Sequence, residues 1–213
     1  MVAALTMPSI IQHHKKQETS ARLKKFYSMM QQAILLSETE NGQVLDWNIQ
    51  YSAFNTDDED ADEKDEECRV FAVYTFNKYI KPYIKYTSID ENNKMNAEGE
   101  ERIFKAIKVL LADGSNFTFR NGDCSDLTFD INGDKGPNKT GKDKFRFLLC
   151  DSDRKIKQYL GNNKIPFGPI CYPASQCNTR KEAHEKCKNN VDYCGKLLLF
   201  DNWEFKSDYP HKL

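Results

Sequence analysis

A single helical pattern near the N-terminus constrains the fold of this 213-residue chain more than any other feature. Leu23, Phe26 and Met30 recur at spacings of three and four, which places them on one face of a helix. The pattern runs from Pro8 to the sequence SETENG that begins at Ser37, whereas helices of globular domains usually span roughly 8–20 residues. We therefore predict a long helix that packs on the protein along part of its length and protrudes along the rest.

The first residues of this helix, MVAALTMPSIIQ, are apolar but too few to cross a membrane, which takes about 20 apolar residues. The segment is either the ordinary end of a buried helix or the second half of a longer membrane helix. We divide the chain into the helix, residues 1–36, with a truncated membrane segment at residues 1–12, and a head at residues 37–213. The residues assigned to that segment are Val2, Leu5, Pro8, Ile10 and Ile11.

The head combines helical and strand-like patterns. A second helix is predicted over CRVFAVYTFNKYI, after an acidic run in which nine of the eleven residues 57–67 are Asp or Glu. We interpret the run as a solvated loop whose charge favours the start of that helix. From about Ile107, apolar alternation around Asp113-Gly114 predicts a hairpin and then two more strands. The predicted fold class is α+β: a long N-terminal helix packed on a small antiparallel sheet, with a cysteine-rich C-terminal tail.

Cysteines are concentrated in the second half of the chain, where four of the seven lie in the last 43 residues. Disulfides in an exported domain account for this density better than free thiols do, and the odd number leaves one cysteine over. Residues 161–179 are predicted to be a long loop, followed by a helix over RKEAHEKCKNN. The disulfide candidates, whose pairing the sequence leaves open, are Cys124, Cys150, Cys171, Cys177, Cys187 and Cys194.

Charge and motif content argue against several classes of function. The chain has 31 basic and 32 acidic residues, so it lacks the basic surplus of nucleic-acid-binding proteins. His184, Cys177 and Cys187 do not follow the spacing of a usual zinc site, and no Cys-x-x-Cys pair occurs. Nothing indicates an activated cysteine nucleophile. We therefore predict a protein that is not an enzyme and has no nucleic-acid partner.

The run DINGDKGPNKTGKDKF, between two predicted strands, is the candidate metal site. Asp130, Asn132 and Asp134 alternate as oxygen ligands do at the first, third and fifth positions of a Ca²⁺ loop. Calcium takes about six to eight oxygens, and Asn138, Asp143 or backbone carbonyls would complete the set. The glycines and the twelfth residue do not follow the EF-hand pattern, and the spacing does not fit a phosphate loop. The alternative is a turn of Asp, Asn and Gly residues that binds no ion.

Several stretches together resemble the type IV pilins and the pseudopilins of type II secretion. The start, MVAALTMP, is similar to the end of the apolar N-terminal run of that family, with Pro8 at the family's proline. Four further stretches resemble one bacterial branch of the family: RLKKFYSMMQQAILLSETENG, LADGSNFTF, DINGDKGPNKTGKDKF and the closing WEFKSDYP. The resemblance touches most of the chain and is loose over residues 56–114.

The resemblance implies a prepilin-like protein whose leader, processing glycine and glutamate lie upstream of Met1. It implies a structural subunit of a type II secretion pseudopilus or type IV pilus-like fibre, which supports protein secretion or surface attachment. The implied partners are other pilin or pseudopilin subunits, bound through the N-terminal helix, and the inner membrane, which the full-length protein crosses once. The implied location is the bacterial inner membrane and the cell-surface fibre, with the head outside the cytoplasm.

The resemblance also leaves room for a second function, that of a minor pilin or adhesin that binds a ligand at the fibre tip. Some pseudopilins carry Ca²⁺ in a loop of their sheet region, which favours calcium as the ion of the loop at residues 130–143.

Overall fold

The computed structural model of the chain describes residues 3–49, 61–96, 103–161 and 164–212. These residues form a long N-terminal helix, a six-stranded antiparallel sheet and three disulfides in the C-terminal region. The predicted α+β class is therefore confirmed.

The first helix, α1, spans Ala3–Asn41 and continues through Pro8. It ends where Gly42 adopts a positive φ of 79°, a conformation that glycine adopts without a steric penalty. The predicted buried face is confirmed, because Leu23 and Met30 are fully buried. Toward the N-terminus the same helix is exposed, and Ile10 is 65% accessible to solvent. Within the described residues, no helix is long and apolar enough to cross a membrane.

The second helix, α2, spans Ala61–Tyr79 and packs on the same face of the sheet as α1. It begins inside the acidic run, so the part of the predicted loop at residues 61–67 is helical, while residues 57–60 lie outside the described part. Acidic side chains stabilise the first turns of a helix through its dipole, and two of them have partners. Asp65 accepts a hydrogen bond from the backbone N–H of Lys105, and Glu66 binds Arg69 and Lys105.

All strands pair in sequence order, each antiparallel to its predecessor. The strands are β1 (Ser88–Asn96), β2 (Ile103–Leu110), β3 (Asn116–Asn121), β4 (Ser125–Asp130), β5 (Lys144–Leu149) and β6 (Phe167–Pro169). The four predicted strands are β2 to β5, and the hairpin at Asp113-Gly114 joins β2 to β3. The strands at the two edges of the sheet, β1 and β6, were not predicted.

The C-terminal region adds three short helices. They are α3 (Asp153–Lys155), which continues as a π-helical turn over Ile156–Leu160, α4 (Arg180–Asn189) and α5 (Cys194–Phe200). The helix predicted over RKEAHEKCKNN is α4, which starts with a capping box between Thr179 and Glu182. The predicted loop at residues 161–179 contains β6.

Aromatic side chains fill the core between α1, α2 and the sheet. Phe26 stacks on Phe129 of β4 with ring centroids 4.1 Å apart and lies 5.3 Å from Phe147 of β5. Tyr27 contacts Trp203 of the C-terminal segment at 4.9 Å. The core therefore joins residues from both ends of the chain.

The six candidate cysteines form disulfides, and the structure supplies the pairing that the sequence left open. The bonds join Cys124 to Cys150, Cys171 to Cys177, and Cys187 to Cys194. The remaining cysteine, Cys68, is buried on α2, and its thiol donates to the carbonyl oxygen of Asn121 at 2.9 Å. Burial raises the pKa of this thiol.

Candidate metal centre

The candidate metal loop, residues 130–143, connects β4 to β5 and is attached to both ends of the chain. The Arg22 guanidinium of α1 donates to the carbonyl oxygens of Ile131 and Asp113, at 2.8 and 2.9 Å. The Tyr209 hydroxyl donates to the carbonyl oxygen of Gly141 at 2.6 Å. These bonds hold the loop against α1 on one side and the C-terminal segment on the other.

Asp143 organises the backbone of the loop. Its carboxylate is 1% accessible and accepts hydrogen bonds from the backbone N–H groups of Asn138 and Lys139, at 2.8 and 2.5 Å. Both of its oxygens are therefore engaged, and the side chain fixes the turn at residues 138–139 whether or not an ion binds.

Asp130 is the most electrostatically perturbed acid of the loop. It is 5% accessible, and one oxygen accepts from the backbone N–H of Asn132 at 3.2 Å. The ammonium nitrogen of Lys144 lies 3.9 Å from the other oxygen, so the two groups form a loose ion pair. Burial is the main cause that raises the pKa of Asp130, to about 6, with smaller contributions in the same direction from the charges of Asp143 and Asp134; the Asn132 N–H and Lys144 lower it. A bound cation would reverse this effect, because it favours the ionised carboxylate.

The amide of Asn138 meets Asp130 at the centre of the loop. One terminal atom of that amide lies 2.9 Å from Oδ2 of Asp130 and 3.1 Å from the carbonyl oxygen of Gly133. Because both neighbours are acceptors, this atom is the amide nitrogen, which donates two hydrogen bonds and closes the loop without an ion. A cation such as Ca²⁺ would require the amide to rotate and present its oxygen in place of the nitrogen. The Oδ1 atom of Asn132 is also buried and has no hydrogen-bond partner among the described residues.

Asp134 lies apart from this centre. Its side chain is 82% accessible, and its Oδ1 lies 2.5 Å from the ammonium group of Lys108, whose hydrogen bond lowers the pKa of the acid. The chain turns at Gly133, which has a positive φ of 67°. A Cβ atom there would lie 2.6 Å from the carbonyl oxygen of Gly114, so only glycine fits.

A second group of potential metal ligands is found in the C-terminal region. Side-chain atoms of Cys187, Cys194 and His211 lie within 4.8 Å of one another, the only such group of three among the described His, Cys, Asp and Glu residues. The two cysteines are bonded to each other, and His211 contacts the carbonyl oxygen of Cys187 at 2.8 Å. The carboxylate oxygens of the three aspartates of the loop are not all within 4.8 Å of one another, so a Ca²⁺ there depends on amide and backbone oxygens as well.

The residues assigned to a membrane or fibre lie on the exposed part of α1. Ile10 and Ile11 are 65% and 66% accessible and border a groove of about 530 Å³ between α1 and the candidate metal loop. Ile131 and Asn132 form the loop side of this groove. Val2 lies outside the described residues, as do the side chains of Leu5 and Pro8.

Residues 9–213 match DUF6613, a family of unknown function. The chain belongs to this family. No curated protein and no solved structure matches the chain.

In this DUF6613 chain, the contacts that hold the candidate metal loop come from Arg22 and Tyr209, neither of which the sequence marks as part of the site. Their partners lie 109 and 68 residues away along the chain, so no local pattern could reveal them.

Proposed function

We propose that this protein is a pilin-like structural subunit, of the pseudopilin or type IV pilin kind, that assembles with copies or relatives of itself through α1. The observation that supports the proposal is the division of α1 into two parts. From Thr19 onward, one face of the helix is buried against the head, whereas Ile10 and Ile11 are about two-thirds accessible.

Physical reasoning favours a partner for the exposed part of α1. Helices in water are marginal without tertiary contacts, and most of their stability in proteins comes from packing of an apolar face. Burial of apolar surface contributes about 25 cal/mol per Å², so two accessible isoleucines are a source of association energy. A fibre of parallel helices would supply that packing along the whole of α1.

The proposal is tested in the cell that produces the protein, with the gene at its own locus. Antibodies against the chain should label filaments in electron micrographs, and the unassembled protein should fractionate with the inner membrane. Labelling along the fibre indicates a major subunit, and labelling confined to the tip indicates the minor pilin or adhesin. The double variant Ile10→Glu, Ile11→Glu should abolish the filaments, with a head that melts as in the wild type. A protein found only in a soluble fraction, with no labelled filament, would contradict the proposal.

We also propose that the candidate metal loop binds one structural Ca²⁺. In the ion-bound state the Asn138 amide turns its oxygen toward the site in place of the nitrogen that donates to Asp130 and Gly133. Asp130, Asn138 and the Gly133 carbonyl then supply the first oxygens, and Asp143 holds the backbone around them. Asn132, with its unpartnered buried oxygen, is the next ligand. Asp134 would have to leave Lys108 to join them.

Calcium should raise the melting temperature of the protein. At 100 times the dissociation constant, a ligand that binds only the folded state adds about 2.7 kcal/mol. For a domain of about 150–250 residues, this added stability raises the melting temperature by on the order of 5–10 °C. The measurement is thermal unfolding in excess calcium and in chelator, and equal melting temperatures would contradict the ion.

The variant Asp130→Asn should change stability in opposite directions in the two buffers. Because the pKa of Asp130 is raised from 3.8 to about 6, this group stabilises the ion-free protein below pH 4 and loses that contribution as the pH rises through 6. At pH 7 in chelator, asparagine should therefore stabilise the protein, by on the order of 2 kcal/mol. In calcium it should destabilise, because the ion loses a charged ligand.

Asp134→Asn is the matched control for this experiment, because it removes an acid of the same loop that pairs with Lys108 at the surface. It should change stability by less than about 1 kcal/mol in chelator. A stabilising effect of Asp130→Asn in both buffers would show that no ion binds at Asp130.

A further inference from the structure

An asparagine that precedes a glycine is prone to spontaneous deamidation, and the chain has three such pairs. Because glycine has no Cβ, its backbone nitrogen can approach the side-chain carbonyl carbon of the asparagine before it. The pairs are Asn41-Gly42, Asn121-Gly122 and Asn132-Gly133. Their surroundings in the folded protein differ, and these surroundings determine which pair can react.

The pair at Asn121 is fully restrained. Its amide nitrogen donates to the hydroxyl of Thr75 at 2.9 Å, and its amide oxygen accepts from the hydroxyl of Ser125 at 2.8 Å. The nitrogen that would have to attack, that of Gly122, donates to the carbonyl oxygen of Cys124 at 2.9 Å. Three hydrogen bonds must therefore open before this buried pair reacts.

The pair at Asn41 is restrained by the last turn of α1. Its amide nitrogen donates to the hydroxyls of Ser37 and Tyr83, at 3.2 and 3.1 Å. The backbone N–H of Gly42 donates to the carbonyl oxygen of Glu38 at 3.1 Å. Here too, both the amide and the attacking nitrogen are held.

The pair at Asn132, in the candidate metal loop, is the exception. One hydrogen bond holds its amide, from the amide nitrogen to the carbonyl oxygen of Gly136 at 3.1 Å. The amide oxygen is buried without a partner, and the backbone N–H of Gly133 donates no hydrogen bond within the described part of the chain. The attacking nitrogen is therefore free, and the amide can turn toward it once a single bond opens.

We propose that Asn132 deamidates in the folded protein and that the product adds an acid to the candidate metal loop. The Gly133 nitrogen attacks the side-chain carbonyl carbon of Asn132 and closes a succinimide ring, and the amide nitrogen leaves as ammonia with the proton of the Gly133 N–H. Water then opens the ring, at the side-chain carbonyl to give aspartate or at the main-chain carbonyl to give isoaspartate. Asn132 borders the groove of about 530 Å³ beside α1, which gives this water a path.

The new carboxylate changes the electrostatics of the loop. It would lie between Asp130 and Asp134 in the sequence, and one of its oxygens would replace an amide oxygen that is buried without a donor. Without an ion, the like charges repel and the protein is destabilised. A cation relieves the repulsion, so the deamidated loop should depend on calcium more strongly than the original. This consequence rests on the proposed Ca²⁺ site, whereas the deamidation itself does not.

Peptide mass spectrometry of the aged protein tests the modification. The whole chain, with its disulfides intact, is incubated at neutral and at mildly alkaline pH, then reduced and digested briefly with trypsin. Residues 121–135 form one tryptic peptide that includes both Asn121 and Asn132, so fragment ions compare the two sites in the same molecule. Each conversion adds about 1 Da, because a hydroxyl replaces an NH₂ group.

In the folded protein, Asn132 should convert about ten times faster than Asn121 or Asn41, because each further hydrogen bond that must open costs up to several-fold in rate. The rate should rise with pH, since the attacking nitrogen must lose its proton. The chain unfolded in urea is the matched control, in which the three sites should convert at similar rates. Equal conversion of the three sites in the folded protein, or conversion of Asn132 only after unfolding, would overturn the proposal.

The variant Asn132→Asp reproduces one product and tests its effect on the loop. Its melting temperature in chelator should lie below that of the wild type, and calcium should raise it by more. Asn92→Asp, which adds the same charge at an exposed position of β1, is the matched control and should not respond to calcium more than the wild type does. The modification and the ion fail separately: conversion of Asn132 without a calcium response rejects only the ion, and a calcium response without conversion rejects the modification.

Discussion

Replacing Phe26 with alanine should lower the free energy of unfolding by about 4 kcal/mol, the largest loss expected for any single substitution here. The Phe26 ring is 1% accessible and touches three strands at once. Its centroid lies 4.1 Å from that of Phe129, 5.4 Å from that of Phe117 and 5.3 Å from that of Phe147. Alanine would remove the transfer energy of the ring and leave a cavity beneath α1 that rigid strands cannot close.

Urea unfolding at constant pH measures this loss as a shift in the midpoint at unchanged slope. Leu35→Ala is the matched control, because Leu35 is a large apolar residue of the same helix but 63% accessible. It should cost less than about 0.5 kcal/mol. Equal losses for Phe26→Ala and Leu35→Ala would mean that α1 does not pack on the sheet through the face described here.

Removing the bond between Cys124 and Cys150 should cost about 3.5 kcal/mol. The two cysteines are 26 residues apart, and the entropy that a cross-link removes from the unfolded chain grows with the length of the closed loop. Both are buried in a small apolar cluster with Leu148 and Ile156, so the double variant Cys124→Ala, Cys150→Ala keeps that environment apolar.

The bond between Cys187 and Cys194 provides the comparison, because it closes only 7 residues and should contribute about 2.4 kcal/mol on the same basis. Alkylation of the unfolded wild type without reductant, read by mass spectrometry, should label one thiol, that of Cys68. A larger loss for the shorter loop would contradict the entropic account, and seven labelled thiols would contradict the disulfides.

Elements with a strong local pattern were predictable from the sequence. The buried face of α1 followed from the spacing of Leu23, Phe26 and Met30, and the hairpin followed from Asp113-Gly114. The two edge strands could not be predicted from the sequence, and each has an identifiable reason. The sequence SIDENNKMN of β1 is polar apart from Ile89 and Met95, so it lacks the apolar alternation that marks a strand, and its position at the edge of the sheet tolerates this polarity. The other edge, β6, has only three residues, one of them the proline that usually excludes a strand.

The candidate metal loop was predictable in composition but not in geometry. Alternation of Asp130, Asn132 and Asp134 suggested that their oxygens share one centre. The turn at Gly133 instead directs Asp134 to Lys108 of β2, a residue whose proximity depends on the pairing of three strands. The amide of Asn138, which does approach both Asp130 and the carbonyl oxygen of Gly133, is placed by backbone conformation, which residue types alone do not specify.

The strand order has a consequence for how the protein is made. Because every strand pairs with the one before it, the sheet can grow as successive segments emerge from the ribosome or from a membrane channel. The residues that cover α1 are synthesised much later, since Phe26 packs against Phe147 and Tyr27 packs against Trp203. The helix α1 is thus synthesised before the strands that cover it, and its apolar face is open to chaperones and to premature self-association throughout that interval.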